Sequence, residues 1–194
     1  MRVERRRTRV LLVGTFLLFF VPIVGAWLLN IFAPGWRPFG TLNHGTLVQP
    51  VRQLSGARLA RFDGSSLEPG YLSGRWTLVH LSNGDCRQIC LEALERSRRV
   101  QQALGDDMNR VQLLLVVAPP GGPPTPELSA GVTVAAASTE WLASVSFAGT
   151  DPGQRLGIYL VDPQGYLMMR YDRDTDQRGL LSDLERLLKI SKIG

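Results

Sequence analysis

The chain has little of what an active site is usually built from. Its 194 residues include only two histidines and two cysteines. No Ser-His-Asp constellation with a suitable histidine is present, and beyond one cysteine pair nothing has the spacing of zinc ligands. Gly121-Gly122 follows an apolar run but lacks the lysine of a phosphate-binding loop. Asp172, Asp174 and Asp176 alternate as in calcium loops, without the central glycine and terminal glutamate, so a solvated turn is expected there. Basic charge is also thin over most of the chain. Of the net charge of +5, Arg2, Arg5, Arg6, Arg7 and Arg9 against Glu4 supply +4, which leaves +1 for everything beyond residue 32. Without a basic stripe interleaved with aromatics, nucleic acid is not an expected partner.

The arginine arm is explained by the segment after it. Val10 to Phe32 carries no charged residue and is long enough to cross a hydrocarbon core as a helix. Pro22 inside it is tolerable because neighbouring groups in a membrane helix satisfy the freed carbonyl. Arginines before the span, and Arg37 alone just after it, place the N-terminus in the cytoplasm. A secretory signal peptide would have a shorter apolar region and small residues at a cleavage site, where this chain has Trp27, Leu28 and Leu29. The expected organisation is a cytoplasmic basic arm over 1–9, a transmembrane helix over 10–32, a linker over 33–53 and a folded domain over 54–194 outside the cytoplasm. The lipid bilayer is then a partner, and two cysteines in an oxidising compartment can persist as a disulfide.

Within the linker, Pro34, Gly35, Pro38, Gly40, Gly45 and Pro50 interrupt any sustained period, and His44 reads as a solvated residue. Leu54 to Phe62 and Tyr71 to Trp76 are expected to pair as short extensions around Asp63-Gly64. The apolar run Thr77 to Leu81 then leads through a polar turn into Cys86 and Cys90. These cysteines lie four apart where a helical pattern begins, with apolar positions at Ile89, Ala93, Leu94, Val100 and Leu104. One helical turn puts both thiols on one face, and a helix N-terminus favours thiolate. The pair can form a disulfide or hold a soft metal.

Val111 to Ala118 reads as a buried central strand, the proline-rich 119–124 as loop punctuation, and Val132 to Ala137 as a weak strand. Ser138-Thr139-Glu140 opens a short helix with Trp141, Leu142, Val145 and Phe147 facing the core. Ile158 to Val161 and Tyr166 to Tyr171 form an antiparallel hairpin over Asp162-Pro163-Gln164-Gly165. Leu180, Leu181, Leu184, Leu187 and Leu188 give the last helix its apolar face. The order predicts an α/β, thioredoxin-like fold, a central mixed sheet flanked by helices, with the cysteines at the start of its first helix.

On these residues the chain resembles a membrane-anchored Sco/SenC-type protein, one of the thioredoxin-like factors of cytochrome c oxidase assembly. The resemblance is carried by the N-terminal anchor, by the strand leading into Cys86-Arg87-Gln88-Ile89-Cys90, and by Ile158-Tyr159-Leu160-Val161-Asp162-Pro163-Gln164-Gly165. It implies a bacterial-type inner-membrane protein with a periplasmic domain, acting in oxidase biogenesis by handling copper or by reducing copper-ligand cysteines. Cys86 and Cys90 would be its redox pair and copper ligands, and an oxidase subunit or another assembly factor its partner. The family pattern is C-P-x-x-C-P, and this chain has Arg87 and Leu91 in place of the prolines. The family's third ligand, a histidine just before the hairpin, is missing from Asp151 to Gly157, and Leu156-Gly157 stands where thioredoxins keep a cis-proline. Two thiolates suffice for Cu(I). Candidates for a third donor are His80, Met168, Met169 and His44, and the methionines are expected on opposite faces of their strand. The alternatives are a non-catalytic assembly scaffold and a general periplasmic thiol reductase.

Overall fold

The computed structural model describes residues 2–33, 42–54, 59–83, 86–118, 131–145, 157–172, 175–191 and 193. The chain divides into two units, 1–42 and 43–194. In the first, helix α1 runs Arg2–Phe32, so the arginine arm continues the apolar helix instead of preceding it. Its stretch Leu11–Phe32 is long and apolar enough to cross a membrane, and none of it is buried against protein. Aliphatic and aromatic side chains on every side of a helix, with none covered, are what a lipid environment requires.

The second unit is built on one seven-stranded mixed sheet in the order β1-β7-β6-β3-β4-β5-β2. Its strands are β1 (Thr46–Gln53), β2 (Leu59–Ala60), β3 (Trp76–Asn83), β4 (Val111–Ala118), β5 (Val132–Ala137), β6 (Ile158–Val161) and β7 (Tyr166–Tyr171). Strands β3, β4 and β5 are parallel neighbours. Helix α2 (Gln88–Ala103) and a 3-10 turn (Gly105–Arg110) connect the first two. The strand β4 is buried almost throughout, as its unbroken Val/Leu run demands of a strand covered on both faces. Strand β6 pairs antiparallel with β3 on one side and β7 on the other. The hairpin between β6 and β7 closes as its sequence predicts: the Asp162 carboxylate accepts from the backbone N–H of Gln164 and of Tyr166, and Gly165 takes φ +85°.

Helix α3 (Thr139–Val145) covers one sheet face. There Trp141 and Val145 pack with Val79, Leu81, Leu114, Val116 and Leu167. On the other face, helix α4 (Gln177–Ile190) and the far part of α2 cover Leu78, Leu113, Ile158, Leu160 and Tyr171 through Leu180, Leu184, Leu188 and Val100. Most of the core expected from the sequence is therefore in place. Phe147, the loop 119–124, and Asp151 to Leu156 fall outside the described residues.

Several expectations are corrected. The linker over 33–53 does not extend to residue 53, because β1 pairs antiparallel with β7 as an edge strand of the sheet. Its register shifts between Leu47 and Arg52, a break that spans Pro50 and removes the alternation by which a strand is recognised. The folded unit accordingly begins at Asn43, not residue 54. Among the described residues, Leu54 to Phe62 does not pair with Tyr71 to Trp76: β2 pairs with β5, and Ala60 bridges to Ser66 across the Asp63-Gly64 turn. The two methionines are not on opposite faces. Leu160 pairs with Met169 but Val161 with Leu167, which makes Met168 the extra residue of a β-bulge. Both methionines then pack against the cluster under α4, while Leu167 faces α3.

Candidate functional site

Cys86 and Cys90 form a disulfide at a Cα–Cα distance of 5.2 Å. Cys86 is not on the helix, as the sequence spacing implied. Arg87 is the extended N-cap residue, α2 begins at Gln88, and Leu91 N–H donates to Arg87 O at 3.0 Å to close the first turn. Cys86 thus lies just beyond the helix end and Cys90 within its first turn. Both are half-buried and pack against the buried cluster of Leu94 of α2 with Leu115 and Val117 of β4, a cluster that Val132 and Val134 of β5 also flank. The surface between them is open: Arg87 and Gln88 are exposed, and so is Ile89 at 63%. The sequence pattern places Ile89 in the apolar stripe, but the stripe that α2 buries is Ala93, Leu94, Ser97 and Val100. Once reduced, a sulfur beside the free N–H groups of a helix end, with Arg87 next to it, is favoured as thiolate.

The candidate third donors are distributed across the domain. Among the described residues, no group of three or more His, Cys, Asp or Glu side chains is placed to hold a metal ion. His80 is 4% exposed in β3, and its Nε2 has no hydrogen-bond partner. Burial, reinforced by the positive charge of Arg96, lowers its pKa from 6.5 to about 3, so the ring is neutral. Met169 lies buried with its sulfur 3.6 Å from Tyr171 Oη. The side chain of His44 is exposed, as expected of a solvated residue, but His44 belongs to the folded unit and not to a linker. Its backbone N–H donates to Asp183 Oδ2 at 2.8 Å, and its Nδ1 lies 3.2 Å from Asp183 Oδ1. Gly45 N–H and Tyr171 Oη donate to the same Oδ2, each at 3.1 Å. Burial, with the adjoining Asp183 carboxylate, raises the pKa of the Tyr171 phenol.

Asp183 and Ser97 escaped sequence reasoning, yet each carries a signal. Both are polar residues inside the apolar stripe of an amphipathic helix, a position that demands a buried partner.

Residues 76–191, from the first residue of β3 to just beyond α4, match the model of the transmembrane-like, thioredoxin-like, C-terminal domain family. The chain belongs to that family. Its fold is that of Sco proteins. Apo Sco1 from Thermus thermophilus matches with TM-score 0.57 at 16% identity, over 78% of this chain and 99% of that one. Yeast Sco1 with copper bound matches with TM-score 0.53 at 17% identity, over 71% and 89%. BsSco, described as a member of the Sco family of cytochrome c oxidase assembly proteins with a disulfide switch, matches with TM-score 0.52 at 16% identity, over 73% and 96%. No curated protein matches the sequence. At these identities the likeness carries the fold, and chemistry must come from this chain's own side chains.

Proposed function

We propose that the chain is a membrane-anchored thioredoxin-like factor of cytochrome c oxidase biogenesis, working through Cys86 and Cys90 either on copper as cargo or on the copper-ligand cysteines of an oxidase subunit. The observation that carries the reading is the bonded, half-exposed cysteine pair at the start of α2. A disulfide this short does little for the fold, so its position at the open end of the helix is better explained by exchange. Reduced, the two sulfurs fit a soft monovalent ion such as Cu(I), and they are the donors this chain offers there. As a dithiol, Cys86 attacks a partner disulfide and Cys90 resolves the mixed disulfide. The anchor is proposed to hold the domain on the periplasmic side of a bacterial-type inner membrane, with the arginine arm in the cytoplasm.

Cu(I) titration of the reduced, detergent-solubilised chain against a competing chelator tests the copper arm, with Cys86→Ser/Cys90→Ser run in parallel. Tight binding that the double variant loses supports copper handling. Absence of binding by the intact dithiol ends that arm and leaves reduction of a partner disulfide, followed by thiol trapping. A scaffold role is the second reading, favoured by the lack of a third-donor group among the described residues. It prevails if the double variant assembles the oxidase normally.

A further inference from the structure

Beneath α2, two polar atoms are buried without hydrogen-bond partners, His80 Nε2 and Ser97 Oγ. A buried polar group left unpaired costs about 1–3 kcal/mol, so a core does not retain one without cause. The sheet register gives its surroundings. Tyr171, Ile158, His80, Leu115 and Val134 are consecutive partners across β7, β6, β3, β4 and β5. Leu115, the cross-strand partner of His80 in this row, belongs with Leu94 and Val117 to the buried cluster against which Cys86 and Cys90 pack. Cys90 precedes the buried Ala93 and Leu94 by three and four residues, which puts it on the inward side of α2, whereas its neighbour Ile89 points to solvent. The orphaned imidazole therefore lies one strand away from the cluster on which the disulfide packs.

A disulfide sulfur has no proton to donate and is a poor acceptor, whereas a thiol does both. We infer that His80 is a positioning residue for the redox pair: when the disulfide opens, the Cys90 sulfur becomes the hydrogen-bond partner of His80 Nε2, and the reduced state is favoured by that bond. The inference rests on the reading of Cys86–Cys90 as an exchanging pair. In reduction by a dithiol, one reductant thiolate attacks Cys86 Sγ, the Sγ–Sγ bond breaks, and Cys90 leaves as thiolate and takes up a proton. The second reductant thiolate attacks the reductant sulfur of the mixed disulfide and releases Cys86 as thiolate. Two electrons pass to the protein and the reductant ends as a disulfide. Of its two thiol protons, one is matched by the proton on Cys90, and the other remains in solvent or protonates Cys86. Burial and Arg96 keep His80 neutral, the form in which the ring can either accept from a thiol or donate to it according to tautomer.

The test is a redox titration of the full chain in detergent, equilibrated in dithiothreitol buffers and read by thiol alkylation, for wild type, His80→Leu and His80→Gln. Leucine removes the hydrogen bond and should move the equilibrium about tenfold toward the disulfide, or about 30 mV more negative. Glutamine restores a donor and an acceptor and should lie nearer to wild type. In wild type, the 15N resonance of His80 Nε2 should shift on reduction. A folded His80→Leu that titrates with wild type overturns the inference, as does an Nε2 resonance identical in the two states. If His80→Leu fails to fold, the wild-type resonance decides. Failure to bind Cu(I) or to reduce a partner would remove the proposed function and leave this potential shift standing, so the two failures are distinguishable.

Discussion

The two histidines occupy opposite circumstances on one face of one sheet. At the Asp183 end, both carboxylate oxygens are engaged, by His44, Gly45 and Tyr171, and the chain fits tightly around them. A Cβ on Gly45 would meet Tyr171 Cε1 at 2.6 Å, and one on Gly179 would meet His44 Cγ at 2.8 Å. Beneath α2, by contrast, His80 Nε2 and Ser97 Oγ are unpaired. A saturated buried network fixes structure, and an unsatisfied one beside a bond that can open is where chemistry is expected. The difference separates a clasp that fastens the first residues of the folded unit to α4 from a seam that responds to the cysteines.

The comparison breaks most visibly at Asp183. Replacing it with alanine leaves the buried Tyr171 hydroxyl and the backbone donors of His44 and Gly45 without their acceptor, at an expected cost of about 4 kcal/mol. Urea unfolding of the detergent-solubilised chain, followed on the β-sheet domain, should register that loss, while the cysteine reduction potential stays at the wild-type value. A potential that moved with Asp183→Ala would mean that the two regions are one network.

Acid probes the seam next. The pKa of His80 in the folded chain is below its unfolded value, so between about pH 6.5 and 3 the unfolded state binds the additional proton. Stability contributed by the neutral ring is complete above pH 6.5 and is lost as pH falls through that window. The linkage amounts to about 3 kcal/mol between pH 7 and pH 4. The expected signature is a fall in thermal midpoint over this range that His80→Leu largely abolishes.

Opening the disulfide should cost less. With a sequence separation of 4, Cys86→Ser/Cys90→Ser removes a very short closed loop, an expected loss of about 2 kcal/mol at most. A much larger loss in urea unfolding would make the pair a structural staple and count against exchange.

How much of this was legible in the sequence follows from what each feature depends on. The long apolar stretch of α1, β4, the β6–β7 hairpin and the leucine face of α4 were readable because each is set by local periodicity or by a turn residue such as Asp162. Strand β1 was not, because an edge strand with a proline and a register break loses its alternation, and its pairing with β7 is a long-range fact. The bulge at Met168 reversed the facing of the residues around it, which no period-two reading anticipates. At the candidate site, the closeness of Cys86 and Cys90 was evident from spacing. The role of His44 depended on Asp183, far along the chain, and the isolation of His80 depended on what α2 does not offer it.

The smallest expected effect sharpens the contrast most. Ile89 is 63% exposed, so Ile89→Ser should change stability by no more than about 0.5 kcal/mol, since little apolar area returns to water. Its position between the cysteines puts it against any partner whose sulfur reaches Cys86. Burying an exposed isoleucine side chain in such a contact is worth about 1.5–3 kcal/mol when complete, and less for a partial contact. The rate of exchange with an apolar cysteine-bearing peptide should therefore fall about tenfold in Ile89→Ser, while exchange with dithiothreitol, too small to cover the residue, remains unchanged. Equal slowing of both reactions would place the effect on the cysteines themselves and remove Ile89 from recognition.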